Sequence, residues 1–199
     1  MRFYEINIFD ENKVIKSYSS HKNGVYNPGA LMVEFDIQQV CLSTPAGESR
    51  LTIWGISPAD MQQARLNYNN KIIQIFAGMA AGLPLAGKHG KGLVIEGVVN
   101  QVFGNWQGTE LRLDFIIFSG PANTDKDGAV IHTGDHILMP KNSRPIIQAS
   151  SYSQYRDESA FQGQFEVQSV RFLGNSRQPT ADSWVTIIEA HPAGELKTK

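Results

Sequence analysis

Alternation with a period of two runs through most of this chain and restricts the fold more than any other feature. In the first strand candidate, Phe3, Glu5, Asn7 and Phe9 alternate with Tyr4, Ile6 and Ile8, which is the pattern of a half-buried strand. Residues 30–42 put Leu31, Val33, Phe35 and Ile37 on one side, with Met32, Glu34, Asp36 and Gln38 on the other. Thr109–Phe118 sets Leu111, Leu113, Phe115 and Ile117 against Arg112, Asp114 and Ile116. In 164–174, Phe165, Val167, Ser169 and Arg171 alternate with Glu166, Gln168, Val170 and Phe172. Further strands are expected at 50–56, 71–79, 93–108 and 184–191, with weaker patterns at 129–140 and 144–152.

Turn chemistry separates these runs. Asn23-Gly24 and Asn27-Pro28-Gly29 mark turns within 19–29, and 43–49 is a turn. Gly104–Gly108 turns the 93–108 strand into an antiparallel hairpin with 109–118, and Gly97 and Gly104 are expected at bulges or bends. The glycine-rich 80–92 and the polar 119–128 read as loops, as does 175–183. One helix is expected, at about 58–67. Ser57 caps its first turn, Pro58 sits where its missing N–H costs nothing, and Asp60 suits the positive end of the helix dipole. Met61, Ala64 and Leu66 supply its apolar stripe, and the turn-rich 67–70 ends it. The fold class is therefore mainly β: an antiparallel barrel or sandwich with one short helix. The chain reads as a single domain, 1–199, with loop insertions near 80–92 and 119–160.

Composition excludes more than it assigns. At 41% hydrophobic and 19% charged, the chain has material for a core and too little charge for disorder. A formal net charge of −1 gives no bulk attraction to nucleic acid or to an anionic membrane. The lone Cys41 forms neither an intrachain disulfide nor a thiolate cluster, which suits folding in a reducing cytoplasm. The opening MRFYEINIFDENK lacks the basic start and apolar stretch of a secretory signal, and no apolar run is long enough for a membrane-spanning segment.

Catalytic patterns are weak. His132, Asp135 and His136 are candidate metal ligands, but on a strand Asp135 points away from the two histidines unless Thr133-Gly134 turns. Lys88 and Lys91 are followed by His89 and Gly92, so the glycine-rich loop is not a phosphate cradle. Cys41 reads as a core thiol, and at Asp125 and Asp127 the glycine of a calcium loop is misplaced and its closing glutamate is absent. Trp54 and Trp184 read as packing or interface residues in strands. Trp106, in GNWQG, reads as an exposed aromatic suited to stacking on a sugar or docking into a partner. Arg50, Arg65, Lys71, Arg112 and Arg171 are scattered as on an ordinary wet face. No catalytic constellation, metal or cofactor is expected.

The order of elements carries a resemblance. LTIWGI precedes the short helix SPADMQQARLN; then come NNKIIQIFAG, the glycine-rich loop, LVIEGVVNQVFGNW and an alternating strand. With NPGALMVEFDI before it and EVQSVRFLGNSRQPTADSWVTIIEA after it, this resembles the tail-tube-like domains of bacteriophage baseplate hub and distal tail proteins, over roughly 30–118 and 164–190. Hubs of contractile tails carry two such domains in a longer chain; 199 residues is short for that, so the resemblance implies a one-domain tail or hub protein of a non-contractile or simplified tail.

The resemblance implies a non-enzymatic structural protein of a phage or prophage tail tip or baseplate, located in the virion and assembled in the host cytoplasm. Its implied partners are itself, in a trimeric or hexameric ring that continues or caps the tail tube, the adjacent tube, hub and fibre proteins, and DNA passing through the lumen. In such a ring the sheets line a channel, the helix lies outside, and edge strands are consumed by neighbours. Neighbours would also order the 80–92 and 119–128 loops. Glu34, Asp36 and Gln38, with Glu166 and Gln168, are then lumen candidates; a solvated sheet face explains them equally well. Trp106, Trp184, Glu34 and Asp36 are the interaction residues expected on this reading. One alternative is a carbohydrate- or host-surface-binding β module using Trp106. Another is a metal hydrolase using His132, Asp135 and His136.

Overall fold

The computed structural model describes residues 2–40, 47–79, 91–119, 131, 133–139 and 163–193. Cys41, Asp125, Asp127, His132, the 144–152 strand candidate and nearly all of the 80–92 and 119–128 loops lie outside them.

The described chain is mostly antiparallel β with one α-helix. Its strands are β1 (Arg2–Asp10), β2 (Lys13–Ser19), β3 (His21–Lys22), β4 (Val25–Tyr26), β5 (Met32–Val40), β6 (Glu48–Trp54), β7 (Ile72–Met79), β8 (Lys91–Gln107), β9 (Glu110–Ser119), β10 (His136–Met139), β11 (Gly163–Asn175) and β12 (Trp184–Pro192), with α1 (Pro58–Asn67) between β6 and β7. Ten of the strands form one sheet in the order β10-β11-β5-β6-β9-β8-β7-β1-β2, with β12 also on β11. Both β12 and β5 pair with β11 across 169–174, so they hold opposite sides of it. The small β3–β4 hairpin turns through Asn23 and Gly24, both at positive φ, as its Asn-Gly pair demands.

This long sheet is curled around a single core. Alternation delivers one apolar face from each strand: Tyr4, Ile6 and Ile8; Val33 and Ile37; Leu51 and Ile53; Ile73 and Ile75; Leu113, Phe115 and Ile117. Burial of each such side chain is worth about 1.5–3 kcal/mol. Two hydrogen bonds cross the interior. Gln39 donates to the Val94 carbonyl, joining β5 to β8, and the Tyr4 hydroxyl donates to the Leu31 carbonyl just before β5. Neither pair of elements is adjacent in the sheet, so the sheet must wrap to bring them together. Burial pushes the Tyr4 hydroxyl up to about 12, which keeps its proton in place for that bond.

Bulges correct the simple alternation. In β11 the pairing with β12 skips Gln168, so Val167 and Val170, of opposite parity, both face the core. A similar slip lets adjacent Val94 and Ile95 both bury. Gly97 and Gly104 are not bulge residues as expected but close-approach residues. A Cβ on Gly97 would lie 2.3 Å from the Phe118 carbonyl oxygen, and one on Gly104 would lie 2.6 Å from Met61. The β8–β9 turn is also tighter than expected. Gln107 pairs with Glu110, leaving Gly108 and Thr109 as its centre, with Gly108 at φ +61°.

The helix starts as its sequence dictates, with the Ser57 hydroxyl accepting from the Asp60 N–H at 3.1 Å and Pro58 in the first turn. Ala64 is buried and Met61 packs on the core, but Leu66 is exposed, so the expected apolar stripe is one residue too wide. Tyr68, just past the helix, supplies the missing anchor. It is fully buried, with its ring stacked on Phe115 at 6.4 Å.

Candidate assembly surface

Among the described residues, three strands of the sheet have an unpaired edge: β2 pairs only with β1, and β12 and the short β10 pair only with β11. Such an edge carries a row of backbone donors and acceptors without sheet partners. β2 was not among the strands expected from sequence. Its pairing with β1 bulges at Ile15, so Val14 faces outward opposite Phe9 while Ile15 packs on the core.

The outward face of the sheet divides in two. Across β2, β1, β7, β8 and β9, ladder pairing aligns Val14 with Phe9, Phe9 with Ile72, Ile72 with Val98 and Val98 with Phe118. Val14, Ile72, Val98 and Phe118 are 45%, 42%, 42% and 44% exposed. At about 4.8 Å per strand this apolar row runs for roughly 19 Å. Polar pairs flank it: Gln74 with Glu96 at 2.6 Å, and Lys71 with Asp10.

Across β11, β5, β6 and β9 the outward face is polar and internally bonded. Arg171 grips Asp36 with two hydrogen bonds of 2.8 and 2.6 Å, and Asn175 donates to Glu34 at 2.6 Å. Thr52 donates to Asp114 at 2.8 Å, Asn105 donates to the other Asp114 oxygen, and Arg112 lies 3.1 Å from it. The Arg171 hydrogen bonds hold the Asp36 carboxyl below its usual range. The basic residues that read as scattered are therefore largely engaged.

The interaction residues expected from sequence do not form one cluster. Glu34 and Asp36 share the outward face of β5, each bonded to β11 of its own chain. Trp184 is half-buried at the start of β12, edge-on to Phe35 at 5.2 Å, with the Arg2 guanidinium over it at 5.6 Å. Arg2 also donates to the carbonyls of Asn175, Gln178 and Thr180, drawing the start of β1 onto the segment leading into β12. Trp106 is 71% exposed, and its indole N–H donates to the Gly108 carbonyl at 2.6 Å, which fixes the ring on the hairpin tip.

Thr133 and Gly134 do form a turn, and His136 opens β10, while His132 lies outside the described residues. Among the described residues, no group of three or more His, Cys, Asp or Glu is placed to hold a metal ion. Also among them, no helix is long and apolar enough to cross a membrane. An open hollow of about 590 Å³ lies between the start of β5, the end of β6 and the β8–β9 turn, lined by Leu31, Met32, Trp54, Ile56, Glu110 and Arg177. The Arg177 guanidinium already donates to the Ala30 carbonyl at its rim.

Sequence reasoning missed the β2 edge and the apolar row. The row's members lie at positions 9, 14, 72, 98 and 118 and meet only through strand register.

No protein-family model matches the chain. No curated protein matches it. Among solved structures, a chain from the virion of a native gene transfer agent particle is similar with a TM-score of 0.33 and 11% identity, over 96% of this chain and 75% of that one. A likeness that distant transfers no function to this chain.

Proposed function

We propose that this chain is a non-enzymatic structural component of a phage or prophage-derived tail, at its tip or baseplate. It forms a homo-oligomeric ring, trimeric or hexameric, that continues or caps the tail tube. The reading is carried by one observation: a single curled sheet whose two long edge strands, β2 and β12, each have one side unpaired among the described residues. Pairing with sister copies would satisfy both edges at once. The apolar outward row adds support, because it is surface that association can remove from water. On this reading the adjacent tube, hub and fibre proteins are its partners, the virion is its location, and Glu34 and Asp36 lie on a polar face suited to a lumen that passes DNA without gripping phosphate. Light scattering and electron microscopy of the purified chain test it. Ring-shaped particles with the mass of three or six copies are expected, and a strict monomer at high protein concentration contradicts the reading.

A second reading has its own observation. The immobilised, exposed Trp106 ring is suited to stacking on a sugar of a host surface. Glycan arrays with the wild type and Trp106→Ala separate the two. Binding that disappears in the variant favours the binding module.

A further inference from the structure

Strand direction restricts how two copies can meet. From one free edge to the other the sheet crosses nine strands, β12-β11-β5-β6-β9-β8-β7-β1-β2. Every neighbouring pair is antiparallel, so eight reversals separate the ends and β12 and β2 run in the same direction. A copy added head to tail, with the same face outward, therefore lays its β12 beside β2 in parallel. A two-fold pair would instead join β2 to β2, or β12 to β12, antiparallel.

Resting on the ring reading above, we propose that sister copies join head to tail through a parallel pair between β2 of one copy and β12 of the next, with Val14 beside Ile187. The occupant of each edge is a second copy because the two edges complement each other. The outward residues of β2 are Val14, Ser17 and Ser19, and those of β12 are Val185, Ile187 and Glu189. Val14 and Ile187 are 45% and 41% exposed, an unusual outlay of apolar surface on edge strands. Lysine is the common guard of such an edge. Lys16, in the middle of β2, is held 2.6 Å from Asp60 of α1 and stands opposite core-facing Ile8, so it does not guard the outward side.

The junction also continues the apolar row. Phe118, Val98, Ile72, Phe9 and Val14 of one copy would be followed by Ile187 of the next. Opposite Ile187 on β11 stands Arg171, whose ion pair with Asp36 ends the row in a polar group. The seven residues of β2 and nine of β12 are long enough for several evenly spaced parallel ladder bonds.

Cysteine pairing in a Cys41→Ser background tests the proposal. Val14→Cys with Ile187→Cys, and Ser17→Cys with Glu189→Cys, are expected to give disulfide-linked multiples of the chain mass under oxidation. Ser17→Cys with Val185→Cys, the antiparallel alternative, is expected to stay at chain mass. All substituted positions lie on the outward face, and light scattering under reducing conditions checks that each variant assembles as the wild type does. Linking of the Ser17–Val185 pair, or dimers from Val14→Cys alone, overturns the parallel head-to-tail joint. Oligomers that link through none of the pairs overturn it while leaving the ring reading intact. A wild type that is strictly monomeric defeats both.

Discussion

The outward faces of β1, β7 and β8 and those of β11, β5 and β6 hang on the same kind of ladder, yet they meet water differently. On the first group Phe9, Ile72 and Val98 lie in register with Val14 and Phe118, and each contributes surface with no polar partner. On the second, Glu34 and Asp36 are matched by Asn175 and Arg171, and β9 adds the bonds between Thr52, Asn105 and Asp114. A polar face whose groups are bonded to one another is finished as a surface, and its pairs are worth little more than their geometry. An apolar face gains stability only when something removes it from water. The two halves therefore differ in what they need: one is complete in the single chain, and the other leaves apolar surface that association would remove from water.

Substitutions on each half sharpen the contrast, and the largest effects come from glycines that hold the ladders together. Gly97→Ala places a Cβ 2.3 Å from the Phe118 carbonyl oxygen, so β8 and β9 must part beneath the apolar row. In the polar half, Gly174→Ala meets the Phe35 ring at 2.2 Å. Both should lower the unfolding free energy measured in urea, by about 1–3 kcal/mol. Gly97→Ala should cost more, because a backbone carbonyl yields less readily than a ring. Equal losses in urea unfolding would contradict that ranking.

The next effect separates folding from assembly. Val14→Thr with Ile187→Thr makes the ends of the row at the two sheet edges polar while leaving the core intact. We expect unfolding free energy measured on dilute protein to change by less than about 1 kcal/mol, the range for surface substitutions being about 0.5 kcal/mol per site. The particle mass seen in light scattering should fall. A large loss of fold stability with assembly intact would show that the row serves the single chain after all.

In the polar half, Asp36→Asn removes the partner of Arg171 at a site where both side chains are nearly half-exposed. The expected loss is about 0.2–1 kcal/mol at low salt, shrinking as salt is added. Assembly should persist. Loss of assembly in this variant would erase the distinction between the halves.

The smallest effect is in pH. The Arg171 hydrogen bond holds Asp36 below its usual range, and the Lys16 hydrogen bond does the same for Asp60. A carboxyl depressed in the folded chain contributes stability that is complete above its unfolded pKa of about 3.9 and is lost as pH falls through the lowered folded value. Urea midpoints should therefore fall on acidification below about pH 4. The fall should be shallower in Asp36→Asn and Asp60→Asn. An unchanged acid slope in both variants would contradict the assignment.

Much of this architecture was legible in the residues, and the gaps have physical causes. β5 and β9 follow strict alternation, so Val33, Phe35, Ile37, Leu113, Phe115 and Ile117 announce the core face directly. The helix was legible from Ser57 and Pro58. Alternation failed at Gln168, where a bulge resets the face and moves Val170 and Phe172 to the side of Val167. It failed again in β2, where adjacent Val14 and Ile15 carry no alternation until a bulge places them on opposite faces. Leu66 looked like part of a stripe, but the chain anchors itself through Tyr68 instead. Of the expected interaction residues, Glu34 and Asp36 were placed correctly on the wet face of their strand, while the apolar row belongs to register and escapes any window of sequence.

Hydrogen exchange on the assembled protein tests most directly whether sister copies consume the sheet edges. Amides of Lys13–Ser19 and Trp184–His191 should exchange as slowly in the particle as those of inner strands β6 and β9. Both segments should become fast in an Ile187→Lys variant that stays monomeric. Fast exchange at both edges in an intact wild-type particle would show that water, and not a neighbouring strand, satisfies them.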